Sequence, residues 1–268
     1  MPEREWGSET GIRNPFLRAF AIALAIAAPS CRPRAARAAL PRYVAHAMGA
    51  IDGRTYTNSL EAWRTNYAKG CRLFETDLWI TGDGKLVAFH GALEAEMGLS
   101  PGFRYDEFMR KRIYGAYSPI DADRIARLLR ENADWKVVTD TKSGLRRSLE
   151  MLCGSLNNWK VACTDRVISQ IYDPATDLPV VKELGFREVI LTIYLSHFDD
   201  RQIVRAARKN PLIVAVTMPP ARATPEMIRS LEKAGVRCYV HTVNGNAIPV
   251  QFDRGVWGVY TDSGCRGR

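Results

Sequence analysis

The chain has 268 residues, 46% hydrophobic and 25% charged, a composition that fits a folded globular protein and excludes a disordered or collagen-like chain. Its net charge is +9, with a pI near 9.4. The basic residues are scattered rather than gathered into a Lys/Arg block, so no nucleic-acid partner is expected.

Residues 1–39 read as a signal peptide or N-terminal anchor. Arg4, Arg13 and Arg18 precede the apolar run Ala19–Ala28, which is too short to span a bilayer and suits the core of an export signal. Small-residue cleavage patterns follow at Ala25-Ile26-Ala27 and Ala36-Arg37-Ala38. The alternative is an N-terminal helix packed on the domain. The first reading implies an exported protein, periplasmic or secreted, with peripheral membrane contact through its N-terminus. Six cysteines show no Cys-x-x-Cys spacing, so no zinc or redox motif is present. In an exported chain Cys153 and Cys163, flanking Gly154–Asn158, are the expected disulfide. At least one of the five cysteines beyond Cys31 stays unpaired, so disulfides are not expected to hold the fold together.

From residue 42 short apolar runs alternate with amphipathic ones. Strands are expected at Tyr43–His46, Leu73–Ile80, Leu86–Phe89, Lys136–Thr139, Val167–Ile171, Val189–Ile193, Leu212–Thr217, Cys238–His241 and Gly258–Tyr260. Helices are expected at Asn58–Lys69, Ala122–Glu131 (capped by Asp121), Leu145–Leu156, Ala175–Glu183, Asp199–Lys209 and Pro225–Ala234 (capped by Thr224). Alternating strands and helices imply a parallel sheet, and about eight such units over residues 40–268 imply a TIM (β/α)8 barrel. A doubly wound open sheet is the alternative, but no Gly-rich phosphate loop favours it. Residues 91–120 form a long connection with one amphipathic piece near Tyr105–Arg112, read as a small cap insertion. No helix follows the last strand, so the closing helix of the barrel is expected to be missing.

Glu75 and Asp77 stand two apart on the otherwise apolar run Leu73–Ile80, so their side chains share one strand face. This is the pattern of a solvated edge strand, and equally that of two buried carboxylates needing a counter-charge such as a divalent cation. Asp140 and Lys142 repeat the spacing at the end of Lys136–Thr139, where a plain salt bridge is the alternative. In a barrel the strand ends carry the chemistry. Here they offer His46, Glu75, Asp77, His90, Asp140, Lys142, Ser169, Gln170, His241, Asn244 and Asp262.

Several motifs occur in order: Tyr43-Val-Ala-His46, Asn58-Ser-Leu-Glu-Ala-Trp63, Phe74-Glu-Thr-Asp-Leu78, Thr81-Gly-Asp-Gly-Lys-Leu-Val87, His90, Asp140-x-Lys142, Val167-Ile-Ser-Gln170, Thr242-Val-Asn244 and Gly258-Val-Tyr-Thr-Asp262. Together they resemble the glycerophosphodiester phosphodiesterase family over residues 43–262. The resemblance implies a TIM barrel that cleaves phosphodiesters with Mg²⁺ or Ca²⁺. It makes Glu75, Asp77 and Asp140 the metal ligands and His46 and His90 the acid–base pair. Lys142, Gln170, His241 and Asn244 would then bind substrate, although His241, at a position where the family usually has Trp, either lines the pocket or packs. His197 is expected at the surface. The chain departs from the pattern at His46-Ala47 for His-Arg, Thr57-Asn58-Ser59 for Glu-Asn-Thr, His90-Gly91 for His-Asp, and Asp140 for Glu. The missing Arg, Asp140-x-Lys142 and His90-Gly91 resemble the sphingomyelinase D-like phospholipases of the same superfamily, whereas Asn58–Lys69 and Thr242-Val-Asn244 stay closer to the glycerophosphodiesterase pattern. The expected substrate is therefore a small-molecule glycerophosphodiester or, alternatively, an intact phospholipid or sphingolipid headgroup, with a cyclic phosphate as one product. An inactive headgroup-binding barrel is the third alternative. No protein partner is expected.

Overall fold

The computed structural model describes residues 40–265. The segment read as a signal or anchor lies outside the described residues. The strands are β1 (Tyr43–Ala45), β2 (Leu73–Ile80), β3 (Leu86–Ala88), β4 (Lys136–Thr141), β5 (Val167–Ile171), β6 (Val189–Thr192), β7 (Ile213–Met218), β8 (Arg237–Val240) and β9 (Gly258–Thr261). All but β3 are parallel neighbours, and β1 pairs with both β2 and β9, so eight strands close into a barrel. The helices are α1 (Leu60–Ala68), α2 (Tyr105–Arg110), α3 (Ala122–Glu131), α4 (Leu145–Asn158), α5 (Cys163–Arg166), α6 (Pro174–Glu183), α7 (Asp200–Lys209), α8 (Pro225–Lys233) and α9 (Ala247–Asp253). The expected caps form: Asp121 accepts from the Arg124 amide, and Thr224 from that of Met227. After β9 no helix follows among the described residues.

The run Leu86–Phe89, expected as one more strand of the alternating series, is not a barrel strand. Five residues, Thr81–Lys85, separate it from β2, too few for a parallel crossover. The chain therefore turns back and β3 pairs antiparallel with β2. This detour feeds the 91–120 connection, which builds its own apolar cluster from Phe89, Phe103, Phe108, Met97, Ile113 and neighbours. The Phe89 ring lies 5.1 Å from Phe103 and 5.5 Å from Phe108. Helix α1 is also shorter than expected. Ser59 is its cap, and Asn58 stands before it with a left-handed backbone.

One buried cluster takes at least one residue from every barrel strand: Val44, Leu73, Val138, Ile168, Ile190, Ala215, Tyr239 and Tyr260. This is the barrel interior. Two residues further along each strand direction stand His46, Glu75, Asp140, Gln170, Thr192, Thr217, His241 and Asp262. Alternation carries these eight to the same inward side, one layer nearer the C-terminal mouth. The barrel floor is thus apolar and its top layer polar, chemistry set by a two-residue step on eight strands.

Two disulfides are present, the expected Cys153–Cys163 and, beyond expectation, Cys71–Cys265. Among the five cysteines of the described residues only the buried Cys238 is free. The Cys71–Cys265 bridge spans 194 residues against 10 for the other. It ties the entry to β2 to the segment after β9, so disulfides do contribute to holding the barrel closed. Chain-entropy arithmetic gives about 5 kcal/mol for the long loop and about 3 kcal/mol for the short one. Replacing Cys71 and Cys265 with Ser is therefore expected to lower the denaturant midpoint more than replacing Cys153 and Cys163, as read by urea unfolding of both double variants.

Candidate active site

A cavity of about 270 Å³ opens at the C-terminal mouth of the barrel. Glu75, Asp77 and Asp140 form one wall, only 2%, 2% and 7% exposed. Asp77 and Asp140 sit abreast on paired positions of β2 and β4. One oxygen from each of the three carboxylates lies within 4.8 Å of the others. Lys142 Nζ reaches Asp140 at 2.7 Å and Asp77 at 3.0 Å. The Ala47 amide donates to Glu75 Oε2 at 2.7 Å, Asn58 Nδ2 to Asp77 Oδ2 at 2.8 Å, and the Tyr172 hydroxyl to Asp140 Oδ1 at 2.7 Å. Residue 47 presents its amide because its backbone is left-handed, φ +47°. The side chain at that position is only a methyl, so no guanidinium enters from there.

Burial, with the nearby charge of Asp77, pushes the Glu75 carboxyl up to about 8. Burial also works against the Lys142 ammonium, but Asp77 and Asp140 outweigh it and hold Lys142 firmly charged. An all-oxygen set of three converging carboxylates fits a hard divalent cation and lacks the nitrogen and sulfur donors that zinc favours. The acidic cluster can therefore hold a metal ion.

The histidines face this cluster. His46 Nδ1 lies 2.9 Å from Asp262 Oδ1. Burial pulls the imidazole pKa down. The Asp262 hydrogen bond and the charges of Glu75, Asp262 and Asp77 reverse this and hold it at about 9. Asn244 supports the pair from behind: its Nδ2 donates to Asp262 Oδ2 at 3.0 Å, and its Oδ1 accepts the Asp262 amide at 2.7 Å. Asn244, expected to bind substrate, is thus spent on Asp262 and is not among the cavity-lining residues. His90 follows β3, fixed by the Phe89 amide donating to the Asp77 carbonyl at 2.9 Å. Its Nδ1 accepts the Ala92 amide at 3.1 Å, so the neutral ring carries its proton on Nε2. Burial is the largest influence on His90 and lowers its pKa.

The opposite wall is aromatic and polar. Gln170 Oε1 accepts from Tyr260 at 3.1 Å, and His241 Nδ1 sits 3.2 Å from Thr217 Oγ1. Gln170 and His241 both line the cavity, and burial, then the charge of His46, pulls His241 down to about 4. Tyr172 joins the wall's edge, its hydroxyl 3.0 Å from that of Tyr194. His197 is exposed. Sequence reasoning assigned no role to Asp262, Tyr56, Tyr172 or Tyr194. Asp262 is among the polar strand ends read from the sequence, two residues beyond an inward Tyr260, but nothing in the sequence pairs it with His46. The tyrosines carry no spacing signal.

The model of the glycerophosphoryl diester phosphodiesterase family matches residues 34–264. The chain's fold resembles a glycerophosphoryl diester phosphodiesterase structure from Silicibacter pomeroyi at TM-score 0.68 and 16% identity, covering 84% of this chain and 90% of that one. A glycerophosphodiester phosphodiesterase from Thermotoga maritima aligns at TM-score 0.64 and 19% identity, over 84% and 96% of the two chains. An Oleispira antarctica phosphodiesterase, solved with the product sn-glycerol-3-phosphate, aligns at TM-score 0.66 and 14% identity, over 83% and 93%. A search of curated proteins finds no match.

Protonation of Glu75 is coupled to the stability of the fold. Its folded-state pKa, about 8, lies above the ordinary 4.5, so its protonation stabilises the fold fully below about 4.5 and that stability is lost as pH rises through about 8. A cation bound to the same carboxylates replaces the proton. Added Mg²⁺ or Ca²⁺ is expected to raise Tm more at pH 8 than at pH 5 in thermal scans of EDTA-treated protein. Equal shifts at both pH values would contradict the assignment.

Proposed function

The chain belongs to the glycerophosphoryl diester phosphodiesterase family of phosphoric diester hydrolases, and we propose that it hydrolyses glycerophosphodiesters to an alcohol and glycerol phosphate. The observation that carries this reading is the meeting, in one cavity, of three buried carboxylates, Lys142 and an aspartate-held histidine. The glycerol phosphate bound by the Oleispira enzyme supports the same substrate class.

Glu75, Asp77 and Asp140 would hold Mg²⁺ or Ca²⁺, which would supply positive charge against the phosphoryl oxygens. Lys142 adds a second positive charge at the same place. His46 donates Nδ1–H to Asp262, which fixes its tautomer; a cation on the carboxylates would offset the charges of Glu75 and Asp77 that help hold the ring protonated, and so free Nε2 as the acceptor. Nε2 takes the proton of the attacking oxygen as the new P–O bond forms, and the same imidazolium returns a proton to the alkoxide as the old P–O bond breaks. His90 presents Nε2–H and steadies the developing charge as a hydrogen-bond donor. The two histidines thus divide the work unequally, with His46 shuttling the proton. Gln170 and His241 line the facing wall, where the alcohol side of the substrate would lie.

A second reading, an intact phospholipid headgroup as substrate at a membrane surface, is favoured by the rim. Of four large hydrophobic side chains exposed among the described residues, Tyr194, Leu195 and Phe198 lie in one stretch after β6. Tyr194 also lines the cavity, and Leu195 is 68% exposed. Arg222 brackets the stretch by donating to the carbonyls of Ile193 and Phe198 at 3.1 and 3.0 Å. Under this reading Leu195→Asp lowers turnover of vesicle-borne lysophospholipid or sphingomyelin and leaves that of soluble glycerophosphocholine alone. Under the first reading glycerophosphocholine is the better substrate and Leu195→Asp changes neither.

EDTA is expected to abolish turnover of glycerophosphocholine, and His46→Ala to lower kcat by about 10²–10⁴-fold, His90→Ala by less. Asp262→Asn removes an interaction that raises the His46 pKa. His46 then stays neutral to lower pH, so the acidic limb of kcat/KM moves to lower pH while kcat falls. A limb that stays in place in steady-state pH profiles would exclude His46 as the base.

A further inference from the structure

Tyr56 sits between the two histidines. Its ring centroid is 5.0 Å from that of His46, nearly perpendicular at 79°, and 4.5 Å from that of His90 at 35°. Both contacts lie in the range of favourable aromatic pairing. The ring lines the cavity. Its backbone is left-handed, φ +59°, a conformation unusual for a bulky side chain and retained only where the surroundings over-determine it.

Those surroundings are visible. Asn58, fully buried and itself left-handed at φ +45°, uses one Nδ2 group twice, donating to Asp77 Oδ2 at 2.8 Å and to the Tyr56 carbonyl at 3.4 Å. Its Oδ1 accepts the Thr76 hydroxyl at 2.9 Å and the Asp77 amide at 3.1 Å. A single amide therefore registers the backbone of Tyr56 against strand β2 and its carboxylate. The phenol oxygen of Tyr56 has no hydrogen-bond partner among the described residues, which leaves the ring as the part that is held.

We propose that the Tyr56 ring is the positioning element that sets the separation and tilt of His46 and His90 across the phosphodiester. This rests on the reading that both histidines act on one bound phosphodiester. No other described ring pairs with both imidazoles; without it only the hydrogen bonds to Asp262 and to the Ala92 amide hold them, and each ring can turn about that bond toward the gap. A shift of about 1 Å in reacting groups costs about 10²-fold in rate.

The test compares Tyr56→Phe with Tyr56→Leu in the full chain, with glycerophosphocholine as substrate and Mg²⁺ or Ca²⁺ present. Tyr56→Leu is expected to lower kcat about 100-fold with KM held within about threefold, and Tyr56→Phe to stay within about threefold of the parent in both. Carbethoxylation of the cation-free protein by diethyl pyrocarbonate gives a readout apart from turnover. Histidine modification is expected to quicken in the Leu variant and not in the Phe variant. Should Tyr56→Leu not fold, Tyr56→Trp, with a wider ring, is expected to lower kcat about tenfold at unchanged KM. A Leu variant with parental kcat, or a Phe variant as slow as the Leu variant, overturns the proposal. Absence of turnover in the parent chain would instead overturn the proposed function.

Discussion

The repulsion among three buried carboxylates is the constraint on which the mouth of this barrel depends. Glu75, Asp77 and Asp140 converge within 4.8 Å while almost fully removed from water. Two like charges about 4 Å apart repel by about 4 kcal/mol even at an effective dielectric near 20. Lys142 answers one of the three charges, and the Ala47 amide, the Asn58 amide and the Tyr172 hydroxyl each donate to one carboxylate. Three negative charges and one positive leave two negative, which one divalent cation balances. The left-handed residues at 47 and 58 are local strains that aim donors at this cluster. Burial without a cation raises the Glu75 pKa for the same reason.

The barrel turns that constraint into a site by geometry alone. Each strand passes an apolar residue to the interior and, two positions later, a polar one to the top layer. Groups as distant in sequence as His46 and Asp262 meet because β1 pairs with β9. The Cys71–Cys265 bridge holds the segment just beyond Asp262 against the entry to β2, the strand that carries two of the three carboxylates. His90 comes from outside the ring: the antiparallel turn-back of β3 carries it over Asp77, and the aromatic cluster behind Phe89 fixes that detour.

Part of this is legible in the sequence: periodicity shows the carboxylate pairs and the barrel, while the cation role of the carboxylates follows from the motif resemblance, since periodicity equally fits a solvated edge strand. Glu75 and Asp77 on an apolar strand, Asp140 and Lys142 on another, and strands alternating with capped helices are short-range patterns. Three kinds of feature were not. Left-handed residues such as Tyr56 have no spacing rule, and the tyrosine between the histidines reads as an ordinary loop residue. Pairings across about 200 residues, His46 with Asp262 and Cys71 with Cys265, depend on closure of the ring. The direction of β3 depends on the length of its turn, which the apolar run Leu86–Phe89 does not reveal. Asn244 shows a subtler gap: its place at a strand end was readable, but its side chain serves Asp262 rather than the cavity.

On this reading the three carboxylates are one cation site that exchanges a proton for a metal ion. Isothermal titration of Mg²⁺ and of Ca²⁺ into metal-stripped protein at pH 7, in two buffers of different ionisation enthalpy, tests it most directly. Expected are one cation bound per chain, release of a proton on binding because Glu75 is held protonated beforehand, and loss of both in an Asp77→Asn, Asp140→Asn variant that still folds. Binding of neither cation, or binding that survives the double substitution, would contradict it.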